Sequence, residues 1–271
     1  MRRLAVFGNP IAHSRSPEIH QYFAAQHAFE ISCERILVPA NGFEEYVRKF
    51  INSGGEGFNI TAPYKQDAFD FSAQLSEPAS LARAVNTISI RDGVIWGDNT
   101  DGIGLTNDIT NNLGWSIDDK KVLLLGAGGA VSGVTSDLLS CAPKKLHILN
   151  RTLSKAQEIE QIHGDKRLKA IVRPESGYDI IINATSAGLK GELLDIPTSI
   201  VTDKSCCYDM TYGISSGVAT TPFLSWSSKQ GAMDIADGLG MLVEQAAQAF
   251  KIWFSVDVET RSVIEALRST L

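Results

Sequence analysis

The sequence has few cysteines, no block of basic residues and no long apolar run, and each absence excludes a class of protein. Lysine and arginine (25) are outnumbered by aspartate and glutamate (31), so the net charge is −6 and neither nucleic acid nor a membrane surface is an expected partner. The longest apolar stretch, Val122–Val131, is half glycine and alanine and too short to cross a bilayer. No two of the four cysteines form a C-x-x-C pair, which predicts reduced thiols in a cytoplasmic protein. They are Cys33, Cys141, Cys206 and Cys207.

The histidines offer no metal site either. His13, His20 and His27 recur every seven residues, which is not a metal-ligand spacing, and no cysteine or aspartate completes a set. We expect these histidines to form a surface stripe. The N-terminal apolar run, Leu4–Gly8, is too short for a signal peptide.

What the chain does have is the composition of a globular protein, with 44% apolar and 21% charged residues. Its 271 residues predict two domains at roughly 150 residues each, and the patterning places the boundary near residue 103. The first hundred residues indicate a mixed sheet with helices. The predicted strands are Arg3–Phe7, Ile31–Val38, Glu56–Ile60, Val85–Ile90 and Val94–Trp96, the last two joined by an Asp-Gly turn, and the helices are 16–27, with Ser16 as N-cap, and Phe43–Asn52.

The second half alternates buried strands with helices, which is typical of a doubly wound parallel sheet. Two long helical patterns, Gly238–Phe254 and Val258–Leu271, close the chain. The predicted strands are Lys121–Leu125, Lys145–Leu149, Asp179–Ile182 and Cys206–Met210, and the helices between them are Ala130–Cys141 and Ser154–His163.

A glycine-rich turn joins a buried strand to a helix in this half. Gly126, Ala127, Gly128 and Gly129 would let a pyrophosphate approach the backbone at the helix N-terminus. The G-x-G-x-x-G/A pattern is incomplete, because Val131 takes its sixth position. A tight turn that binds no ligand is therefore the alternative interpretation of this segment.

The next strand ends in a cationic cluster. Asn150, Arg151 and Thr152, with Lys155 one turn further, stand where an NAD-binding protein usually carries an acid for the ribose 2′-hydroxyl. Two cations and a hydroxyl suit a 2′-phosphate, because a guanidinium can bind it bidentately. The cluster favours NADP over NAD, with a solvated helix start as the alternative.

Polar side chains collect in the first half, most of them just after predicted strands, while Asn86 interrupts the apolar run 84–88. Each has a local explanation, such as a cap, a strand-end amide or a turn residue. Together they supply hydroxyls, amides, one ammonium and one carboxylate, which suits a small polyhydroxy acid. They are Ser14, Ser16, Asn59, Thr61, Lys65, Asn86 and Asp101.

A series of motifs resembles the shikimate dehydrogenase family in family order from residue 8 to residue 246. No single motif is specific, but the ordered series is. The matching segments are 8–17 (GNPIAHSRSP), 59–65 (NITAPYK), 84–87 (AVNT), 98–102 (DNTDG), 126–130 (GAGGA), 150–152 (NRT), 183–188 (NATSAG), 208–210 (YDM) and 237–246 (DGLGMLVEQA).

The resemblance implies the reversible NADP-dependent reduction of 3-dehydroshikimate to shikimate, in aromatic amino-acid biosynthesis through chorismate. It implies a substrate-binding domain over 1–103, an NADP-binding Rossmann domain over 104–237, and C-terminal helices, 238–271, that return to the first domain. It also implies that the protein is a monomer or a homodimer with only small-molecule partners.

The resemblance also implies roles for single residues. Lys65 and Asp101 are the implied catalytic pair. The implied substrate ligands are Ser14 and Ser16 for the carboxylate, Thr61, Asn86, Asp101 and Gln245 for the ring hydroxyls, with Lys65, and Tyr212 near the carboxylate. The implied cofactor ligands are Gly126, Ala127, Gly128, Gly129 and Ala130 at the pyrophosphate, Asn150, Arg151, Thr152 and Lys155 at the adenosine phosphate, and Thr185, Met210 and Gly238 at the nicotinamide.

Chemistry agrees with the implied catalytic pair. Oxidising a secondary alcohol requires a proton acceptor, and a lysine beside a carboxylate in a partly desolvated site can hold and relay that proton. We expect Lys65 to carry the proton and Asp101 to orient it, although the sequence leaves the reverse assignment open.

Two departures from the family pattern bear on the cofactor. Val131-Ser132-Gly133 carries no cation where the family often has one, and Lys155 replaces a frequent second arginine. Both weaken a bidentate clamp, so we expect a preference for NADP without exclusion of NAD. A broader quinate/shikimate dehydrogenase and a non-catalytic NADP-sensing module are the alternatives; the Arg151/Lys155 cluster argues against the first, and the presence of Lys65 and Asp101 argues against the second.

Overall fold

The computed structural model describes residues 1–185, 196–212 and 220–270. The chain divides into two compact units, one formed by residues 1–104 and 243–270 and the other by residues 105–242. Each unit contains a six-stranded sheet. The first sheet is mixed and the second is parallel, so the predicted fold class is confirmed.

The first sheet has the strand order β2-β1-β3-β5-β6-β4. β1 is parallel to β2 and β3, whereas β5 is antiparallel to β3 and β6. Asp92 and Gly93, both at positive φ, form the two-residue turn between β5 and β6 that the Asp-Gly pair predicted. The strands are β1 (Arg2–Gly8), β2 (Ile31–Leu37), β3 (Gly55–Ile60), β4 (Gln74–Leu75), β5 (Thr87–Arg91) and β6 (Val94–Asp98).

Five helices occur in the first hundred or so residues, and two more lie near the C-terminus. The chain passes from the first unit to the second within helix α5, between residues 104 and 105, and returns to the first within helix α9, between residues 242 and 243. The helices are α1 (Ser16–Gln26), α2 (Phe43–Asn52), α3 (Lys65–Phe71), α4 (Glu77–Ala82), α5 (Asp101–Asn107, continued by a π-helical turn over Asp108–Asn112), α9 (Leu239–Phe254) and α10 (Arg261–Arg268).

The second sheet has the order β12-β11-β10-β7-β8-β9, with every described pair parallel. β7 is buried on both faces, because Val122 and Leu124 join one apolar cluster and Leu123 and Leu125 join another. The elements are β7 (Lys121–Leu125), α6 (Gly129–Ser140), β8 (Lys145–Leu149), α7 (Leu153–His163), β9 (Leu168–Ile171), β10 (Ile180–Asn183), a 3₁₀ turn (Thr198–Ile200), β11 (Cys206–Asp209), α8 (Pro222–Lys229) and β12 (Asp234–Asp237).

Three local predictions were wrong. Ser16 is the first residue of α1 rather than its N-cap, and its hydroxyl and N–H both pair with the Ser14 hydroxyl at 3.3 Å. α10 begins at Arg261 rather than Val258, because the Glu259 carboxylate accepts the first free N–H groups of the helix. His20 is fully buried and so belongs to no surface stripe, whereas His13 and His27 are exposed.

Within the described ranges, no helix is both long enough and apolar enough to cross a membrane.

Candidate active site

The polar segments of the first unit meet at one edge of its sheet. β1 and β3 end at this edge, where Thr61 N donates to Phe7 O at 2.9 Å. β5 begins here and β6 ends here, because Thr87 pairs in register with both Asn59 and Asp98. The topology therefore places the segments carrying Ser14 and Ser16, Thr61 and Lys65, Asn86, and Asp101 along the same edge.

Lys65 and Asp101 are in direct contact. The Lys65 ammonium donates to Asp101 Oδ2, with 26% of the lysine side chain and 9% of the aspartate side chain exposed. Each is the first residue of a helix, α3 and α5 respectively. A partly desolvated ion pair of this kind can pass a proton to or from a bound hydroxyl group.

The position of Asp101 is fixed from two sides. Asn99 Oδ1 accepts the Asp101 N–H at 3.0 Å, while Asn99 Nδ2 donates to Ala84 O at 3.0 Å. Asn86 Nδ2 donates to Asp101 Oδ1 at 2.8 Å. The carboxylate thus receives an amide on one oxygen and an ammonium on the other.

Gln245 joins this group from helix α9. Its Oε1 lies 3.4 Å from both Asn86 Nδ2 and Thr100 Oγ1. Gly104 makes this approach possible, because a Cβ there would lie 2.7 Å from the Gln245 backbone nitrogen. Lys65, Asn86, Asp101 and Gln245 are therefore brought together as one hydrogen-bonded set.

The two serines form a separate pair at the start of α1. Arg35 Nε donates to Ser14 O at 2.8 Å and so fixes the loop. Arg15, which lies between them, is engaged with both carboxylate oxygens of Glu18 at 2.7 and 3.1 Å. Thr61 is half-buried at the end of β3. Among the described residues, no hydrogen bond links either serine to the Lys65–Asp101 pair.

The predicted cofactor residues all follow strands of the second sheet. The last residues of β7 and β8, Leu125 and Leu149, are in register, and so are those of β10, β11 and β12. Gly126, Asn150, Thr185, Met210 and Gly238 therefore lie at the carboxyl edge of a parallel sheet, which is where open α/β sheets bind nucleotides. Tyr212 also lies in this unit, shortly after β11.

The glycine-rich loop has the geometry that a pyrophosphate requires. Gly126 adopts φ +113°, which favours glycine, and its N–H donates to Leu149 O at 2.9 Å. Among the described residues, no atom would lie within 4 Å of a Cβ at Gly128 or Gly129, so the packing of these residues does not require glycine there. No side chain of residues 1–185, 196–212 or 220–270 caps the start of α6. The residues present fit an anion at this helix N-terminus.

The cationic cluster after β8 is exposed to solvent. Asn150 Nδ2 donates to Thr152 O at 2.8 Å and shapes the turn that presents Arg151. In the part of the chain that the structure describes, neither Arg151 nor Lys155 has an acidic partner. Two unpaired cations beside the Thr152 hydroxyl fit a phosphate.

Hydrogen bonds to Asn183 and one close backbone approach hold the three residues expected near the nicotinamide. Asn183 Oδ1 accepts the Thr185 N–H at 3.1 Å and the Thr185 hydroxyl at 2.8 Å, while Met210 N donates to Asn183 O at 2.9 Å. A Cβ at Gly238 would collide with the Met210 carbonyl, so the two segments touch. Residues 186–188 of the same motif lie outside the described residues.

Two residues that were not among the predicted site residues, Asn99 and Asp209, support the two sites. Asn99 precedes the first residue of α5 by two positions, which is the spacing of an Asx turn. This spacing is visible in the sequence and could have predicted the role of Asn99. Asp209 accepts the Thr221 hydroxyl at 2.5 Å and the Thr211 N–H at 3.0 Å, and burial raises the pKa of its carboxyl group. Only the tertiary structure shows the Asp209 contacts.

Family models match three parts of the chain. The shikimate dehydrogenase substrate binding domain matches residues 6–88, the shikimate / quinate 5-dehydrogenase model residues 108–190, and the shikimate 5′-dehydrogenase C-terminal domain residues 238–268.

Relatives match the chain over nearly its whole length. A shikimate dehydrogenase (NADP(+)) of Alkalilimnicola ehrlichii is 47% identical over 269 residues, covering 98% of each protein. The crystal structure of an Ael1 enzyme from Pseudomonas putida has a TM-score of 0.93 and 42% identity, with 98% of each chain covered. The crystal structure of shikimate 5-dehydrogenase from Thermus thermophilus in complex with NADP(H) and shikimate has a TM-score of 0.87 and 28% identity, with 100% of each chain covered.

Proposed function

This chain belongs to the shikimate dehydrogenase family, and we propose that it catalyses the reversible NADP-dependent reduction of 3-dehydroshikimate to shikimate, in aromatic amino-acid biosynthesis. The observation that carries the proposal is the Lys65–Asp101 pair, with the Asn86 amide on the second carboxylate oxygen. A non-catalytic relative would not need to hold an ammonium and a carboxylate together in a partly buried site.

Lys65 supplies the proton for this reaction. NADPH, when bound, supplies a hydride to the ketone carbon of the substrate. The Lys65 ammonium donates a proton to the oxygen that becomes the alcohol, and in the reverse direction the neutral amine takes it back. Asp101 orients the ammonium and balances its charge, and Asn86 holds Asp101 in place.

The remaining polar residues of the first unit orient the substrate. Ser14 and Ser16 present two neighbouring hydroxyls that suit its carboxylate. Tyr212, the further residue that the family resemblance implies for the carboxylate, belongs to the second unit. Hydroxyl, amide and carboxylate side chains take the ring hydroxyls, because each can donate to or accept from an alcohol. These are Thr61, Asn86, Asp101 and Gln245.

The second unit holds the cofactor. The loop 126–130 takes the pyrophosphate at the start of α6, and Asn150, Arg151, Thr152 and Lys155 take the adenosine 2′-phosphate. Thr185, Met210 and Gly238 line the nicotinamide. In this proposal residues 1–103 form the substrate-binding domain, 104–237 the NADP-binding domain, and 238–271 the helices that return to the former.

We place this activity in the cytoplasm, in a monomer or a homodimer. The four cysteines are free thiols, which suits a reducing compartment. Small molecules are the only partners that the proposed reaction needs.

Four assays at the absorbance of reduced nicotinamide test the proposal, pairing shikimate or quinate with NADP or NAD. We expect rapid reduction with shikimate and NADP, and a lower kcat/KM with NAD because Arg151 and Lys155 have no phosphate to bind. Equal kcat/KM for the two cofactors would overturn the NADP assignment. Activity with quinate and NAD would indicate the broader enzyme, and a folded protein that binds NADP without turnover would indicate a sensing module.

A further inference from the structure

His20 is a polar ring in an aromatic environment. It is fully buried in α1, and its ring centroid lies 5.0 Å from that of Trp253, 6.2 Å from that of Phe250 and 6.3 Å from that of Phe23. Its Nε2 lies 2.8 Å from Asn59 Oδ1, whereas its Nδ1 has no hydrogen-bond partner in the described part of the chain. Burial lowers the pKa of His20 to about 4, so the ring is neutral near pH 7. Burying an apolar side chain at this position would cost less free energy than burying a polar ring. The presence of a histidine with a single side-chain hydrogen bond to Asn59 therefore requires an explanation.

The contacts of Asn59 fix the position of the His20 proton. Asn59 Nδ2 lies 3.4 Å from Asn86 O, and a carbonyl oxygen can only accept. The Asn59 amide oxygen must therefore face His20. Because that oxygen also only accepts, the His20 proton is on Nε2, and His20 donates to Asn59.

The hydrogen bonds of Thr87 continue in the same donor-to-acceptor direction. Its hydroxyl accepts from Asn59 Nδ2 at 3.1 Å and donates to Asn86 Oδ1 at 2.9 Å. Asn86 Oδ1 also accepts the Thr100 N–H at 2.9 Å, so the Asn86 amide nitrogen turns to Asp101. In every hydrogen bond of the series from His20 to Asp101, the donor belongs to the residue nearer His20 and the acceptor to the residue nearer Asp101.

The series leaves one oxygen of Asp101 for the catalytic lysine. Asn86 occupies Oδ1, and Lys65 donates to Oδ2. Thr87, Asn59 and His20 are 0%, 5% and 0% exposed, so water does not reach these groups to replace a missing donor.

Resting on the proposed function, we propose that His20 and Thr87 are positioning residues, which act through Asn59 and Asn86 to set the orientation of Asp101 toward Lys65. Neither needs to touch the substrate. Loss of the Thr87 hydroxyl leaves Asn59 Nδ2 with one weak acceptor and removes one donor from Asn86. Loss of the His20 donor leaves the buried Asn59 Oδ1 without its hydrogen bond, so the Asn59 amide is no longer anchored in the position from which it donates to Thr87.

Two matched pairs of variants test the proposal by kinetics. Thr87→Val keeps the volume of the side chain and removes the hydroxyl, whereas Thr87→Ser keeps the hydroxyl. His20→Phe removes the donor, whereas His20→Gln keeps an Nε2–H. We expect Thr87→Val and His20→Phe to lower kcat with shikimate about tenfold, because small misplacements of a catalytic group are costly. We expect the serine and glutamine variants to stay within about threefold of the wild type.

The dissociation constant of NADP, measured by fluorescence, serves as the control for intact protein and should be unchanged. A merely structural role would lower the melting temperature without separating the two members of a pair in kcat. The proposal is overturned if Thr87→Val keeps kcat within about twofold, or if Thr87→Ser loses as much as Thr87→Val.

A second measurement does not depend on turnover. The ¹⁵N chemical shifts of labelled histidine in the wild-type protein report the tautomer of each ring. We expect His20 to be neutral with its proton on Nε2, and a proton on Nδ1 overturns the proposal even if the enzyme is active. Absence of turnover by the wild type with every substrate would instead overturn the proposed function, while the tautomer would still decide the positioning role.

Discussion

At the scale of single residues, the candidate catalytic site depends on polar groups that are buried but satisfied. Asn86 and Asn99 are 3% and 4% exposed, and each uses both ends of its amide. Because unsatisfied buried amides are costly, such groups can adopt few alternative orientations. The site is therefore preorganised around Asp101 before substrate arrives.

His20 makes the stability of the protein depend on pH. Its pKa is about 4 in the folded protein and 6.5 in the unfolded chain, so protons bind the unfolded chain first as pH falls below 6.5. The contribution of neutral His20 to the free energy of unfolding is therefore fully present above pH 6.5 and is lost progressively as the pH falls toward 4. Between pH 7 and pH 5 we expect the free energy of unfolding of the wild type to fall about 2 kcal/mol more than that of His20→Phe.

Urea unfolding at the two pH values measures this difference. The side chains that stack on the ring or hydrogen-bond to it, Phe23, Asn59, Phe250 and Trp253, are uncharged, and only burial and the Asn59 hydrogen bond shift its pKa, so the difference reports His20 itself. Equal losses in the two proteins would show that His20 does not titrate in this way.

At the scale of secondary-structure elements, the turn from β7 to α6 separates two roles of glycine. Gly126 has a positive φ, whereas Gly128 has φ −95°, and no atom of the residues that the structure describes would lie near its Cβ position. The first glycine is needed by the backbone, and the second is needed only if something binds in front of it.

Substituting each of these glycines by alanine separates the two roles. We expect Gly128→Ala to keep the melting temperature of the cofactor-free protein, or raise it slightly, and to raise the KM for NADP by about tenfold or more, because the methyl occupies the pyrophosphate's place. Gly126→Ala should lower the melting temperature, since a strained φ costs about 1–3 kcal/mol. Thermal unfolding without cofactor and steady-state kinetics measure both; an unchanged KM in Gly128→Ala would remove the pyrophosphate from this turn.

At the scale of the whole molecule, the parts that local pattern specifies were predictable and the rest were not. β8 and α2 have the bounds that the sequence predicts, because an apolar run and an amphipathic period define them locally. β12, Asp234–Asp237, was not predicted because it has no apolar run, and the two-residue β4 has no pattern at all. α3 and α4 are too short to show a period.

The candidate site shows the same division. The motifs gave the residues of the Lys65–Asp101 group, since their order along the chain is itself informative. The burial of His20 was not predictable, because Phe250 and Trp253, which cover it, lie more than 200 residues further along the chain. The direction of the hydrogen bonds from His20 to Asp101 likewise requires the relative positions of α1, β3, β5 and α5.

The kinetics of Lys65→Ala with shikimate and NADP decide whether Lys65 supplies the proton. We expect kcat to fall by about 10²–10⁴-fold, since general acid–base groups contribute about that much. Lys65→Arg is the matched control, because it keeps the charge but does not release a proton, and kcat should fall there too. A rise in KM with kcat within about tenfold of the wild type in Lys65→Ala would mean that Lys65 only holds the substrate, and would contradict the account.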